Sequence, residues 1–244
     1  MSFINTGCGL AGLRSLDPGS VELVFCDLPS GETRAHFDNP IDLAEFWPAA
    51  WACLKPNGAV VLMASSLRYA ATVIASEPKW YRYDVVWEKS KATGFLNAKR
   101  QPLRAHEFVL VFCRVAPPYR PQVTSGHAVA SGGGRQKRGG RSGGNYGDSR
   151  PYDYGGTTDR QPRSVLRVAS LEGPERRHPQ QKPIPLLQWV VRTYTNPGEM
   201  VVDPCAGSGS MGVAAIGDGR EFVGWDFEPK PPSAVQNGLF TSGG

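Results

Sequence analysis

Two apolar runs in this 244-residue chain each end in an aspartate, and a rigid turn follows both of them. The first, VELVFC (residues 21–26), runs into Asp27, Leu28, Pro29 and Ser30. A carboxylate held by proline at the end of a buried strand is a preorganised acceptor for donors on a ligand. The plainer alternative is an acid that only forms a turn. The second run, EMVVD, ends in Asp203 and continues through Pro204, Cys205, Ala206, Gly207, Ser208 and Gly209 into SMGVAA. Glycines there let the backbone approach a ligand closely, and a helix start offers free N–H groups. An acid about twenty residues beyond such a turn can bond ribose hydroxyls, and Asp226, at the end of REFVGWD, stands at that place. Together these residues describe a site for an adenosine-containing cofactor. The glycine spacing is not GxGxxG, which argues against a dinucleotide, and no GxxxxGK[ST] is present for a nucleoside triphosphate.

The elements that position these acids follow from periodicity. VELVFC is apolar throughout, as expected of a strand covered on both faces. IDLAEFWPAAWACLKPNG carries Leu43, Phe46, Trp47, Ala50, Trp51 and Leu54 at helical spacing and then a turn. AVVLMAS, YRYDVVWEK and HEFVLVFCR read as strands, and LRYAATVIAS as a helix between the first two. After a long aperiodic stretch, PIPLLQWVVRTYTN reads as a helix, EMVVD as a strand, SMGVAAIGDG as a helix and REFVGWD as a strand. Alternating strands and helices predict an α/β fold with a mostly parallel, doubly wound, Rossmann-like sheet.

A chain of this length, with 40% hydrophobic residues, can bury one large core, so a single domain over 1–244 is expected. Its five cysteines include no CxxC pair and read as reduced thiols, with no metal site expected. No run reaches the roughly 20 apolar residues of a membrane span, and the start lacks the pattern of a signal peptide, so the chain reads as cytoplasmic. The net charge of +5 is unevenly spread. Between Arg114 and Arg177 there are twelve Lys or Arg against five Asp or Glu, within a segment rich in Gly, Pro and Tyr that contains SGGGRQKRGGRSGG. That surplus fits a polyanionic partner, or a charged loop that is merely solvated.

In combination, DLPSG ahead of DPCAGSGS, with LKPNGAVVLMAS, ATGFLNAKRQPLRAHEFVLVF, TDRQPRSVL and HPQQKPIPLLQWVVRTYTNPGEMVVDPCAGSGS, resembles the DNA amino-methyltransferases. The resemblance covers most of residues 3–228. It is to their permuted class, in which the catalytic motif precedes the cofactor motif and which is common in phages and restriction-modification systems. It implies a class I methyltransferase fold, S-adenosylmethionine as cofactor, DNA as partner, and methylation of an exocyclic amine, adenine N6 preferred over cytosine N4. Monomer and dimer both stay open.

The resemblance also implies roles. Asp27, Leu28, Pro29 and Ser30 occupy the catalytic motif, with the Asp27 carboxylate and the Leu28 carbonyl accepting the two amine protons of an extruded base. Ser30 stands where the family has an aromatic ring. Either Trp87, Phe95 or Tyr69 supplies the stacking platform, or the substrate differs, or the chain is an inactive relative. Cys8 replaces an acid that in the family approaches the cofactor's adenine. Cofactor contacts fall to Cys8, Asp203, Cys205, Ala206, Gly207, Gly209 and Asp226. Lys182 either reaches the cofactor carboxylate or is an ordinary helix start. His106 and Glu107 read as structural groups. The inserted region 115–170 matches the target-recognition region, with Arg135, Lys137, Arg138, Arg141 and Tyr146, besides Phe95, as DNA contacts.

Overall fold

The computed structural model describes residues 4–32, 38, 40–117, 119–128, 158–171 and 181–227. By backbone contact they fall into two compact units, one of residues 1–120 with 164–244 and the other of 121–163. In the larger unit, β1 (Ile4–Thr6), α1 (Gly9–Arg14), β2 (Val21–Cys26), α2 (Leu43–Cys53), β3 (Leu54–Ala64), α3 (Leu67–Ser76), β4 (Tyr81–Thr93) and β5 (Arg104–Phe112) come first. They are followed by β6 (Val165–Val168), α4 (Ile184–Tyr194), β7 (Met200–Asp203), α5 (Ser210–Gly217) and β8 (Glu221–Asp226). The strands form one sheet in the order β1-β8-β7-β2-β3-β5-β4-β6. Only β5 runs against its neighbours β3 and β4, and the other described pairs are parallel. The expected mostly parallel, doubly wound sheet is borne out.

Every residue of β2 is buried because helices cover both faces of the sheet. Val24 and Cys26 pack with Leu13, Phe46, Trp47, Tyr69 and Val73 from α1, α2 and α3. Leu23 and Phe25 point the other way, to Leu187, Val190, Val191, Met211 and Ala214 of α4 and α5. Asp42 and Ser66 cap α2 and α3, accepting from the N–H groups of Ala44 and Tyr69 at 2.8 and 3.0 Å. The carboxylate of Glu22, almost buried within β2, accepts from the Met200 N–H at 2.8 Å and pairs with Lys55. It thereby ties the starts of β7 and β3 to the central strand.

The sequence pattern does not reveal α1 or β6. α1 is short and built of GLAGLR, where glycines mask the helical period. β6 alternates between exposed and half-buried at the sheet edge, so its apolar signal is weak. In the smaller unit, Thr124 and Arg160 form an antiparallel bridge, and the His127 N–H donates to the Thr158 carbonyl at 3.1 Å. Two flanks of the stretch that looked aperiodic are therefore paired. Among the described residues no helix is long and apolar enough to cross a membrane.

The fit of α1 against β8 sets where Asp226 stands. A methyl group at Gly12 would lie 2.2 Å from the Trp225 ring, one residue before Asp226. Gly12→Ala is therefore expected to push α1 off β8 and cost about 1–3 kcal/mol, the scale of overpacking in a filled core. Urea denaturation of the variant checks it, and an unchanged midpoint would show that the contact relaxes freely.

Candidate active site

Chain direction reverses across the middle of the sheet. From β2 the chain proceeds to β3 on one side, whereas β7, β8 and β1 lie on the other. At such a point the loops leave their strands in opposite directions and open a crevice at the carboxyl ends. Asp27 follows β2 and Asp203 ends its neighbour β7, so the two motifs, far apart in sequence, meet there.

On the β7 side the chain turns through Pro204 and Cys205. The Asp203 carboxylate, 3% exposed, accepts from the Cys205 N–H at 2.9 Å. Gly207 and Gly209 have φ of 49° and 74°, in the left-handed region that favours glycine, and Gly209 immediately precedes α5 as its N-cap. The Ala206 N–H bonds the Trp225 carbonyl at 2.9 Å, and the Gly207 N–H bonds Asp226 Oδ2 at 2.9 Å. The Gly7 N–H donates to the Asp226 carbonyl at 3.0 Å, and the exposed Cys8 precedes α1. Gly9 packs so tightly on the turn that a methyl there would lie 1.9 Å from the Pro204 carbonyl oxygen. The structure thus brings Cys8, Asp203, Cys205, Ala206, Gly207, Gly209 and Asp226 together. Burial pushes the Asp203 carboxyl up to about 8; the Cys205 N–H opposes this, and the charges of Asp27 and Asp226 reinforce it.

On the β2 side lies a chain of charges that the sequence did not reveal. Lys182 Nζ is 2.8 Å from Asp27 Oδ2 and 3.1 Å from Glu107 Oε2, and Lys89 Nζ is 3.1 Å from Glu107 Oε1. The side chains of Lys182, Glu107 and Lys89 are 11%, 13% and 7% exposed, so each charge depends on its neighbours for compensation. Burial raises Asp27 above the usual carboxylate range, although the Lys182 ammonium opposes it. Burial would also raise Glu107, but Lys182 and Lys89 outweigh it and hold that carboxyl low. Lys182 is raised because its two carboxylates outweigh burial. Its ammonium is thus engaged by Asp27 and Glu107. HEF in β5 placed a charged residue within an apolar strand, the one signal that could have marked Glu107 in advance.

Past Asp27 the backbone is pinned. Leu28 is buried, the Pro29 carbonyl accepts from the Tyr69 hydroxyl at 3.3 Å, and Ser30 Oγ accepts from the Glu32 N–H at 3.3 Å. Of the three aromatic candidates, Tyr69 is buried and Trp87 is buried with its indole N–H on the Val168 carbonyl at 2.9 Å, whereas Phe95 is 64% exposed. Arg135, Lys137, Arg138, Arg141 and Tyr146 lie outside the described residues.

A family profile described as DNA methylase, of the N6/N4 methyltransferases, matches residues 22–233. The DNA adenine methyltransferase YhdJ of Escherichia coli (strain K12) is 28% identical over 234 residues, covering 89% of this chain and 76% of YhdJ. The type II methyltransferase M.XycI of Xanthomonas campestris pv. cyanopsidis is 27% identical over 79% of this chain, which spans only 54% of that relative. Among solved structures, the M1.HpyAVI complex with S-adenosylmethionine superposes with a TM-score of 0.58 at 20% identity, over 93% of this chain and 94% of that one. PvuII DNA methyltransferase (cytosine-N4-specific) gives 0.63 at 16% identity, over 97% and 84%. These structures share the fold. With the profile running from β2 past the end of β8 across both motifs, the chain belongs to the N6/N4 DNA methylase family.

Proposed function

We propose that this chain transfers a methyl group from S-adenosylmethionine to the exocyclic amine of a base extruded from DNA, adenine N6 in preference to cytosine N4. The observation that carries this reading is the adjacency of β2 and β7, which gives Asp27 and the Asp203–Gly209 turn a common crevice. The Asp27-first motif order supports the permuted class. The name of YhdJ supports adenine, and the small, basic segment within 115–170 is the proposed target-recognition region.

The crevice suits the cofactor by its chemistry. The acids Asp27, Asp203 and Asp226 gather at this crevice and would suit a ligand whose sulfonium and ammonium are cationic, and the glycine turn would let it approach. When bound, the cofactor supplies an electrophilic methyl group. Asp226 would accept from ribose hydroxyls, and Cys8 would line the adenine side. Asp27 and the Leu28 carbonyl would accept the two amine N–H bonds, drawing the nitrogen toward tetrahedral geometry and stabilising the positive charge it gains. Lys182 acts as a positioning residue: it holds one oxygen of Asp27 and favours the ionised form, leaving the other oxygen for the amine. Ser30 offers no ring, which favours as a second reading a different modification of a base by the same scaffold.

The direct test is incubation with radiolabelled S-adenosylmethionine and DNA, followed by nucleoside mass spectrometry. N6-methyladenine is expected; N4-methylcytosine would reverse the base preference, and no labelled nucleoside would overturn the reading. Asp27→Ala should cut transfer by about 100-fold or more, the scale of losing one preorganised transition-state partner, with cofactor affinity kept.

Lys182→Met removes the cation that lowers Asp27, so the Asp27 carboxyl should protonate at higher pH. Since the ionised form is the acceptor, the acid limb of the kcat/KM profile should move to higher pH while cofactor affinity by calorimetry stays the same. Weakened cofactor affinity with an unmoved limb would return Lys182 to the cofactor carboxylate.

Asp203, with its carboxyl near 8, is largely protonated at neutral pH in the free protein. A cationic cofactor favours its ionised form, so binding at pH 7 should release up to about one proton, and affinity should rise with pH until near 8. Calorimetry in buffers of different ionisation enthalpy measures the release. Asp203→Asn should abolish it, and an unchanged release would place the proton elsewhere.

A further inference from the structure

Because β5 runs against β3 and β4, the turn joining β4 to β5 leaves the sheet at the carboxyl edge of β3, the edge that carries the crevice. Ala64, the last residue of β3, pairs with Phe108, and the next residue toward the turn, Glu107, already touches Lys182 beside Asp27. At ~3.3 Å per strand residue, the hairpin begins roughly 10 Å beyond that contact. Residues 94–103 therefore leave the sheet at the same edge as Asp27.

The tip of this hairpin is ordered by its own backbone. Gly94 turns the chain at φ 93°, and the N–H groups of Asn97, Ala98 and Arg100 donate to Gly94, Phe95 and Asn97 at 2.9, 3.1 and 2.8 Å. On that support Phe95 is 64% exposed and Leu96 102%, the latter more than any other large hydrophobic side chain among the described residues. Lys91, Lys99, Arg100 and Arg104 flank them in sequence, all exposed, and no Asp or Glu occurs between Ser90 and His106. Packing gives no reason to hold two apolar side chains in water on a rigid turn. A partner with phosphates outside and stacked apolar faces inside gives one: the cations meet the phosphates, and the apolar pair enters between bases.

We propose that this hairpin is a wedge that enters the DNA stack beside the target base, with Leu96 and Phe95 between bases and Lys91, Lys99, Arg100 and Arg104 on the flanking phosphates. The proposal rests on the methyltransferase reading and adds to it the element that opens the duplex. Only double-stranded substrate needs opening.

The test compares wild type with the Phe95→Ser, Leu96→Ser double variant on plasmid DNA, native and heat-denatured. Both side chains are exposed, so the melting temperature should not change. The ratio of transfer to duplex over transfer to denatured DNA should fall about 10-fold or more, since unstacking is the costly step. Independently of turnover, permanganate oxidation of thymines in bound duplex should rise with wild type and not with the variant. A ratio and a permanganate pattern both unchanged by the substitutions would overturn the wedge. So would loss, in the variant, of wild-type co-sedimentation with phosphatidylserine vesicles while duplex transfer is retained, which would assign the tip to an anionic membrane. If wild type gives the permanganate signal but no labelled nucleoside, the methyl-transfer reading fails and the wedge stands.

Discussion

Burying several carboxylates around one crevice is costly unless each is compensated, and the parts of this site follow from how that is met. The three acids are treated differently. Asp27 has an ammonium, Lys182, at 2.8 Å. Asp203 has one backbone N–H and otherwise keeps its proton near neutrality. Asp226 accepts the N–H of Gly207. Lys182 in turn would be overcompensated by Asp27 and Glu107, and Lys89 restores the balance, so the four groups Asp27, Lys182, Glu107 and Lys89 sum to zero charge. This arrangement explains why α4 must begin where it does: Lys182 precedes its first turn, and the helix anchors it beside β2 through the Leu187 and Val190 face.

The same network couples elements that topology alone would leave independent. Lys182 comes from the lead-in to α4, Asp27 from the end of β2, Glu107 from the antiparallel β5 and Lys89 from β4. An antiparallel β5 is what permits this, because its amino-terminal half lies at the carboxyl edge of β3 and presents Glu107 there. A parallel strand in that place would have sent the equivalent residue to the opposite edge. The hairpin at the carboxyl edge and the charge network are thus two results of one strand reversal.

Much of the fold was legible in the sequence because the central strands are covered on both faces and so read as unbroken apolar runs, VELVFC most clearly. The glycine turn after Asp203 was equally legible, since positive φ at Gly207 and Gly209 leaves a residue-level trace. What stayed hidden depended on contacts between distant segments. Lys182 in HPQQKP has no local feature pointing at Asp27, and Glu107 looked structural because its partners arrive from α4 and β4. β6 and α1 were hidden for a different reason: an edge strand has one weakly buried face, and a glycine-rich helix has too few side chains to show a period.

Ser30 is the departure from the family pattern with the clearest local physics. Its hydroxyl accepts the Glu32 N–H, the Gly31 N–H donates to Asp38 at 2.8 Å, and Gly31 turns at φ 67° where a methyl would lie 2.6 Å from the Pro40 ring. Ser66, which caps α3, donates to Glu32 at 2.8 Å. The segment after Asp27 is therefore drawn back onto Pro40 and the start of α3, and a short hydroxyl side chain at position 30 contributes one of the bonds that hold it there. A ring would have to give up that bond, so the missing aromatic is also a gain in turn stability. Position 30 thus offers no ring, and the exposed aromatics stand on other elements. Trp87 and Tyr69 are already buried and hydrogen-bonded, whereas Phe95, on the hairpin that the reversed β5 creates, and Phe227, just past the end of β8, are exposed.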